Sequence, residues 1–291
     1  MRSDTTIRRE TDIRQKILLH KIKIDQIQEE KMKYYIGVDL GTSAVKLLLM
    51  DQEGQVVNIV SREYPLSFPH PGWSEQNPED WWEQSKEGIR ELISKIDAAE
   101  VAGISFGGQM HGLVILDEKD QVIRPAILWN DGRTTKETDY LNQVIGKEKL
   151  SEYTANIAFA GFTAPKLLWV KENEPENFAK ICKIMLPKDY LAYCLTGVHC
   201  CDYSDASGML LLDVKNKCWS EQMMEICGVS SEQMPELFES YEKEMQNVIN
   251  SSKNKPDEVL TKYINYMDYA TQDFRSKYLA KLHWTILSAI R

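Results

Sequence analysis

The sequence lacks long apolar runs and has no excess of positive charge. No stretch reaches the roughly 18 consecutive apolar residues that a membrane-spanning helix needs, and we therefore expect no membrane segment and no membrane partner. The formal net charge of −9 argues against nucleic acid as a main partner, because a phosphate-binding surface needs clustered Lys and Arg. Small molecules are the expected ligands.

Paired cysteines at redox or metal spacing are also missing. The six cysteines include no C-x-x-C pair, and no secretory apolar segment precedes them. This pattern favours reduced thiols and a cytoplasmic location. The adjacent Cys200 and Cys201 have no His partner at ligand spacing, so we expect them to be small apolar residues without chemistry.

The 291 residues, 43% of them hydrophobic, are enough for one or two globular domains. Residues 1–32 carry both charge signs with isoleucines at near-helical spacing, so this extension is expected to be an exposed amphipathic helix or a disordered leader. Residues 33–242 have the pattern of a globular domain. Residues 243–291 contain no glycine and no strand pattern, which predicts a helical tail, either an appendage or sequence foreign to the preceding domain.

The domain opens with three β-rich runs, YYIGVDL, AVKLLLMD and QVVNIVSREY, the last two separated by a QEG turn. They predict an antiparallel meander. Asn77 is then expected to cap a helix with Pro78 at its first position, running to about Ile96 and burying Trp81, Ile89 and Ile93 or their neighbours.

Further strands and helices are predicted to alternate after this point. VAGISF, LVILD and PAILWNDGR have strand character, and helical segments are expected near 134–145, 164–173, 187–195 and 219–227. A meander followed by strands interleaved with helices predicts an α/β domain with a mixed sheet and flanking helices.

The turn DLGTS, between the first two predicted strands, has the composition of a phosphate-binding site. Backbone N–H groups in a tight turn, with the hydroxyls of Thr42 and Ser43, form a donor surface for phosphate oxygens, and Gly41 permits close approach. Asp39 is suited to hold Mg²⁺ through water. The alternative is an ordinary β-turn, since all these residues are common turn formers.

Five ordered motifs then give a resemblance to a known family. GGQMHG, ILWNDGR, GFTAPKLLWVKEN, LPKDYL and SDASGMLLLDV together resemble the FGGY family of carbohydrate kinases, and within it the xylulokinases. The segment 161–173 satisfies the family's N-terminal signature, with Lys166 and Trp169 at the expected interval. The resemblance covers residues 34–241.

The resemblance implies an actin-like ATPase (ribonuclease H-like) lobe that takes part in transferring the γ-phosphoryl group of ATP, with Mg²⁺, to an open-chain ketose such as xylulose. It places Met110 and His111 against the sugar. A histidine can hydrogen-bond a hydroxyl and a methionine can form an adaptable apolar wall, while Gly107, Gly108 and Gly112 permit close approach.

Trp129, Asn130 and Asp131 are the remaining candidates for sugar contact. A carboxylate and an amide suit polyol hydroxyls, and an indole can pack on the carbon face of a sugar. Asn-Asp-Gly is equally a favoured hairpin turn, so both interpretations stay open. In LPKDYL, a helix start at Pro187 with Asp189 in the first turn explains the residues without a ligand.

The general base of the family, an aspartate in a GGGDN-like turn of the second lobe, has no counterpart in these 291 residues. We therefore expect negligible kinase activity from this chain alone. A complementary second lobe on another chain, or a homo-oligomer, are open possibilities. The sequence also allows a non-catalytic sugar-binding or interaction module, or a kinase lobe for gluconate, ribulose or glycerol.

Overall fold

The structure, a computed structural model, describes residues 32–239. The predicted N-terminal extension (1–32) and helical tail (243–291) lie outside the described residues, apart from Met32, and stay predictions together with the domain boundaries. Within the described part, no helix combines the length and the apolar character needed to cross a bilayer.

The described chain alternates strands and helices. The strands are β1 Tyr34–Leu40, β2 Ala44–Asp51, β3 Val56–Glu63, β4 Glu75–Gln76, β5 Val101–Gly108, β6 Val114–Leu116, β7 Ala126–Ile127, β8 Lys183–Met185, β9 Cys200–Asp202, β10 Leu212–Asp213, β11 Cys218–Trp219 and β12 Glu236–Phe238. The α-helices are α1 Pro78–Leu92, α2 Thr135–Asp139, α3 Lys147–Thr154, α4 Thr163–Asn173, α5 Pro175–Phe178, α6 Pro187–Thr196, α7 Tyr203–Ser207 and α8 Glu221–Cys227.

The main sheet has the strand order β3-β2-β1-β5. β1, β2 and β3 form the predicted antiparallel meander, and β5 adds parallel to β1, so the sheet is mixed, as expected. Parallel pairing brings the carboxyl ends of β1 and β5 to the same edge, where Asp39 lies opposite Gly107. The loops that follow these two strands are therefore neighbours.

Helix α1 begins as its sequence predicts. The side chain of Asn77 accepts a hydrogen bond from the backbone N–H of Glu79, and Pro78 occupies the first helical position. Trp81 and Ile89 are buried on the face that packs on the sheet. This face contributes to a sheet-side core of β1, β2, β5 and α1.

The predicted end of α1 near Ile96 is four residues too late. The helix ends at Leu92, and the backbone N–H groups of Ser94 and Ile96 turn to acceptors only three residues back. Asp97 then caps a short 3₁₀ turn by accepting from Ala99 N–H. Apolar periodicity continues through this tight turn, which explains the overestimate.

The other predicted helices are present with altered limits. The segment predicted over 134–145 is α2 followed by a π-helical stretch, Tyr140–Gly146, and α3 extends helical structure beyond Gly146. The helices predicted near 164–173, 187–195 and 219–227 correspond to α4, α6 and α8. Helix α4 lies in a second core, formed largely by the helical half of the domain.

Candidate active site

The turn between β1 and β2 is tight and held from two sides. The N–H of Gly41 donates to Ala44 O at 3.0 Å, and a Cβ on Gly41 would lie 3.0 Å from that oxygen. The hydroxyl of Tyr64 donates to Gly41 O, and the amide of Gln76 donates to Thr42 O at 2.7 Å. The turn is thus a fixed structure, with the candidate phosphate ligand Ser43 at its exposed tip.

Asp39 lies at the end of β1, partly buried, between Lys46 of β2 and Gly107 of β5. Burial raises the pKa of its carboxyl group, and the charge of Lys46 opposes this effect. A partly desolvated carboxylate of this kind gains from a nearby cation. Mg²⁺ needs only one or two protein carboxylates, because it keeps waters and phosphate oxygens as its other ligands, so the residue fits the expected metal.

The loop that follows β5 begins directly beside this turn. Gln109 N–H donates to Leu40 O at 2.7 Å, and a Cβ on Gly108 would lie 2.7 Å from the Cβ of Leu40. A Cβ on Gly112 would lie 2.6 Å from Pro187 Cγ, whereas Gly107 has open space. Packing within the protein therefore accounts for the glycines at 108 and 112, for which the sequence alone suggests ligand approach.

His111 is held in an uncommon backbone conformation. Its φ is 64°, in the left-handed region that few non-glycine residues adopt. Its imidazole packs on Gly208, where a Cβ would lie 2.1 Å from the ring carbon Cε1, and its centroid lies 4.8 Å from that of Phe162. Burial and the charge of Lys166 lower the pKa of the imidazole, opposed by Asp205 and the Gly208 backbone.

The preceding residue, Met110, is 47% exposed. The sequence predicts that it forms an apolar wall beside His111, and its exposure at the loop tip is compatible with such contact.

Lys166, the signature lysine on α4, is completely buried. Its ammonium donates to His111 O at 2.7 Å and to Gly161 O. Burial lowers the pKa of Lys166 to about 7, with Asp131 raising it and Arg133 lowering it further. The first turn of α4 therefore attaches to the backbone of the His111 loop.

Trp129 links the two candidate ligand regions. Its indole Nε1–H donates to the hydroxyl Oγ1 of Thr42 at 3.0 Å, and its side chain is 48% exposed. The loop that contains Trp129, a candidate sugar contact, is therefore in direct contact with the β1–β2 turn, the candidate phosphate site.

The next two residues differ sharply in exposure. Asn130 is exposed, whereas Asp131 is buried and accepts hydrogen bonds from Ser74 N–H at 2.6 Å and from Arg133 at 2.8 to 2.9 Å. The Arg133 guanidinium lies 3.7 Å from the ring centroid of Trp73. Both carboxylate oxygens of Asp131 thus have protein partners, which favours the turn interpretation for this residue.

Two aromatic residues near His111 were not among the predicted site residues. Phe162 contacts the imidazole, and Phe159, 51% exposed, lies 5.3 Å from Phe162 between ring centroids. Both belong to or adjoin the segment GFTAP, whose signature pointed to α4. The only signal available in the sequence was the position of Phe159 just before that signature.

A second lysine, with its side chain only 12% exposed, lies at the start of α6. The Lys188 ammonium contacts Asp189 at 2.6 Å, Asp202 at 2.8 Å and Asp205 at 3.1 Å. These carboxylates outweigh the effect of burial, and the pKa of Lys188 is raised well above its ordinary value. Asp189 lies in the first turn of α6, as predicted. The cluster ties α6 to α7, the helix that ends at Gly208.

The two adjacent cysteines are buried and unbridged. Cys200 and Cys201 are free thiols in β9, and burial raises the pKa of each. Groups of three or more His, Cys, Asp or Glu side chains that could together hold a metal do not occur among residues 32–239.

Comparison with known proteins identifies the family to which this chain is similar. The chain matches the FGGY family of carbohydrate kinases, N-terminal domain, over residues 34–256. It is 49% identical over 213 residues to a xylulose kinase from Bacillus subtilis, covering 72% of this chain and 42% of the relative. It is thus similar to less than half of that protein.

Solved structures give the same picture. The structure of a xyloylose kinase from Brucella ovis matches with 43% identity and a TM-score of 0.68, over 72% of this chain and 44% of the other. A gluconate kinase from Lactobacillus acidophilus matches with 28% identity and a TM-score of 0.69, over 75% of this chain and 46% of the other. The backbone alone therefore does not separate these two relatives, while sequence identity does.

These neighbours have the actin-like ATPase fold, which confirms the predicted fold class. The match spans most of the described residues and includes every candidate site residue. The chain belongs to the FGGY family of carbohydrate kinases, of which it contains the N-terminal domain.

Proposed function

We propose that this chain is the sugar-binding lobe of a xylulokinase. In the complete reaction the γ-phosphoryl group of ATP passes to a hydroxyl of xylulose, giving xylulose 5-phosphate. The single observation that supports this most strongly is the hydrogen bond from Trp129 to Thr42, because it joins a candidate sugar loop to a candidate phosphate turn. A cytoplasmic location fits such a metabolic enzyme.

On the sugar side, His111, Met110, Trp129 and Asn130 would contact the ketose. An imidazole whose pKa is lowered stays neutral near pH 7, so one ring nitrogen can accept a hydrogen bond and the other can donate one. The exposed parts of Met110 and Trp129 supply apolar surface for the carbon chain. Asp131 would act through the turn rather than by touching the sugar.

On the phosphate side, Asp39 would hold Mg²⁺ through water while Gly41, Thr42 and Ser43 present backbone and hydroxyl donors to phosphate oxygens. Mg²⁺ supplies charge neutralisation during transfer. The donors come from one side of the nucleotide only. Since phosphoryl transfer depends on positioning and charge neutralisation around the whole group, we expect sugar binding without significant turnover from this chain.

Calorimetric titration of the 291-residue chain with xylulose tests the sugar site. We expect weak, measurable binding that falls at least about tenfold in His111→Ala, because one polar contact to a ligand is worth about 1 to 2 kcal/mol. Gluconate and glycerol serve as competing ligands. Equal binding of all three, or none of xylulose, would contradict the proposal.

Asp39→Asn tests the phosphate side separately. This variant should lose Mg²⁺-dependent ATP binding and keep xylulose binding, while Asp51→Asn, at the far end of β2 from the turn, should change neither.

An assay of ADP release checks turnover: a rate comparable to that of a complete family enzyme would refute the expectation of negligible activity. Addition of a complementary second lobe should restore release if the lobe is competent, and leave it unchanged if this is a non-catalytic module.

A further inference from the structure

We propose that Lys166 is a positioning residue, which holds His111 in its left-handed conformation by joining loop 109–112 to loop 159–162. This inference rests on the proposed function, since it takes His111 as a sugar contact. Lys166 itself is completely buried and has no exposed surface for contact with a ligand.

The hydrogen bonds of Lys166 are unusual for a buried lysine. Its ammonium donates to two backbone carbonyls, His111 O and Gly161 O, one from each loop. Among residues 32–239 it forms no ion pair with a carboxylate at contact distance, so no such counter-charge explains its presence. A buried lysine is disfavoured by desolvation, and an apolar side chain of similar length would avoid this cost. What the lysine provides is the connection between the loops.

The conformation of His111 needs such a connection. A non-glycine residue at a φ of 64° persists when its surroundings fix it. The carbonyl of His111 accepts two hydrogen bonds, from Lys166 at 2.7 Å and from the Thr163 hydroxyl at 3.2 Å. Both donors belong to the first turn of α4, so the helix fixes the direction of this peptide group and with it the direction of the imidazole.

The second carbonyl extends the effect to the other candidate sugar contacts. A Cβ on Gly161 would lie 2.7 Å from Trp129 O, so these two backbones touch. The next residue, Phe162, packs on the imidazole of His111. Holding Gly161 O therefore fixes the backbone behind Trp129 and the ring beside His111 together.

Electrostatics supply a second consequence of the same geometry. The charged groups that act on Lys166 are Asp131, which raises its pKa, and Arg133, which lowers it, while burial has the largest effect. In turn the charge of Lys166 lowers the pKa of His111, with Asp205 opposing. Removing the ammonium should therefore raise the pKa of the imidazole.

The test compares Lys166→Met with Lys171→Met in the full chain. Both residues lie on α4, but Lys171 is exposed and contacts Phe178 rather than the site. We expect Lys166→Met to bind xylulose at least about tenfold more weakly, the effect of a misdirected polar contact, and to raise the pKa of His111 measured by ¹⁵N NMR of its ring. Lys171→Met should change neither quantity.

Wild-type affinity in Lys166→Met, or an unchanged His111 pKa, would overturn the proposal. A wild-type chain that binds no xylulose would instead refute the proposed function, and the NMR measurement would still decide the role of Lys166. If Lys166→Met does not fold, ¹³C titration of the wild-type chain decides. The ¹³C chemical shifts of the His111 and Gly161 carbonyls should change with pH, with the same midpoint as the deprotonation of Lys166. Carbonyl shifts that do not change at that midpoint would overturn the inference.

Discussion

Two lysines at helix starts, the buried Lys166 on α4 and the largely buried Lys188 on α6, have opposite surroundings. Lys166 donates to backbone carbonyls and its pKa is lowered to about 7. Lys188 contacts three carboxylates, and its pKa is raised. The surroundings thus favour the neutral form of the lysine side chain in one place and its charged form in the other.

This difference indicates that the two lysines have different roles. Lys188 neutralises charge that the fold has brought together on α6, β9 and α7, so its main contribution is to stability. Lys166 has no carboxylate at contact distance within the described part of the chain, and its two hydrogen bonds serve the loops that face the proposed ligand. Stability and binding should therefore respond in opposite order to replacement of the two residues.

The largest effect is expected from removing the charge of Lys188. Lys188→Met removes the cation that contacts Asp189, Asp202 and Asp205, and removing one partner of a largely buried ion pair costs about 3 to 5 kcal/mol. Lys166→Met should cost about 1 kcal/mol, since the lost hydrogen bonds are offset by removal of a desolvated amine. Urea unfolding of both variants measures these free energies. An equal loss in both would remove the distinction between the two regions.

The next effect concerns pH. The ordinary pKa of lysine, 10.5, applies to Lys166 in the unfolded chain, and burial lowers it to about 7 in the folded chain. Between these values the unfolded chain binds more protons, so the free energy of unfolding rises with pH by up to about 1.4 kcal/mol per pH unit. This contribution is lost as the pH falls from 10.5 through 7.

Urea unfolding between about pH 7.5 and 9.5 checks this slope. The stability of the wild-type chain relative to Lys166→Met should increase across the range. The raised pKa of Lys188 places its own titration above this window, so the Lys188 ammonium adds no slope there. A wild-type curve parallel to that of Lys166→Met would mean that Lys166 keeps its proton and that the two lysines are electrostatically alike.

A small change in stability, similar to that of Lys166→Met, is expected at Gly208, where the two regions meet. Gly208 ends α7, whose start is tied to Lys188, and a Cβ there would lie 2.1 Å from the His111 ring. Gly208→Ala should displace the imidazole and weaken xylulose binding at least about tenfold, while stability falls by only about 1 kcal/mol, because the ring can move.

Gly103→Ala, within β5, is the matched control for this substitution. Its added Cβ would lie 3.5 Å from the Tyr35 ring, an ordinary contact. Calorimetry and urea unfolding of both variants separate binding from stability. Retention of affinity in Gly208→Ala would show that binding does not depend on the contact between Gly208 and the imidazole. Loss of affinity in Gly103→Ala as well would show that the effect is not specific to Gly208.

Much of the fold could be predicted from sequence because local signals were strong. The meander followed from alternating β-rich runs, and α1 began where Asn77, Pro78 and Glu79 supplied capping and first-turn signals. The end of α1 could not be predicted, because the tight turn that follows it keeps helical periodicity. The short strands β8 to β12 could not be predicted either, because a strand of two or three residues depends on its pairing partner. Tertiary contacts decide these elements.

The candidate site residues were chosen from sequence motifs. Asp39, at the end of β1, lies opposite Gly107 of β5, and Trp129 contacts Thr42. The roles of these residues and of His111 in ligand contact stay predictions. Sequence could not separate exposed Asn130 from buried Asp131, because the distinction depends on Arg133 folding back onto the carboxylate. The hydrogen-bond partners of Lys166 could not be predicted either, because they are backbone carbonyl oxygens, which every residue type has.

The left-handed backbone at position 111 has a consequence for altering ligand preference. The peptide direction there is set by α4, independently of which side chain the residue carries. Asparagine, aspartate or glycine would tolerate the same torsion angles, whereas valine or isoleucine would strain them. A small library restricted to the tolerant residues could therefore exchange the recognition group while preserving the loop that presents it.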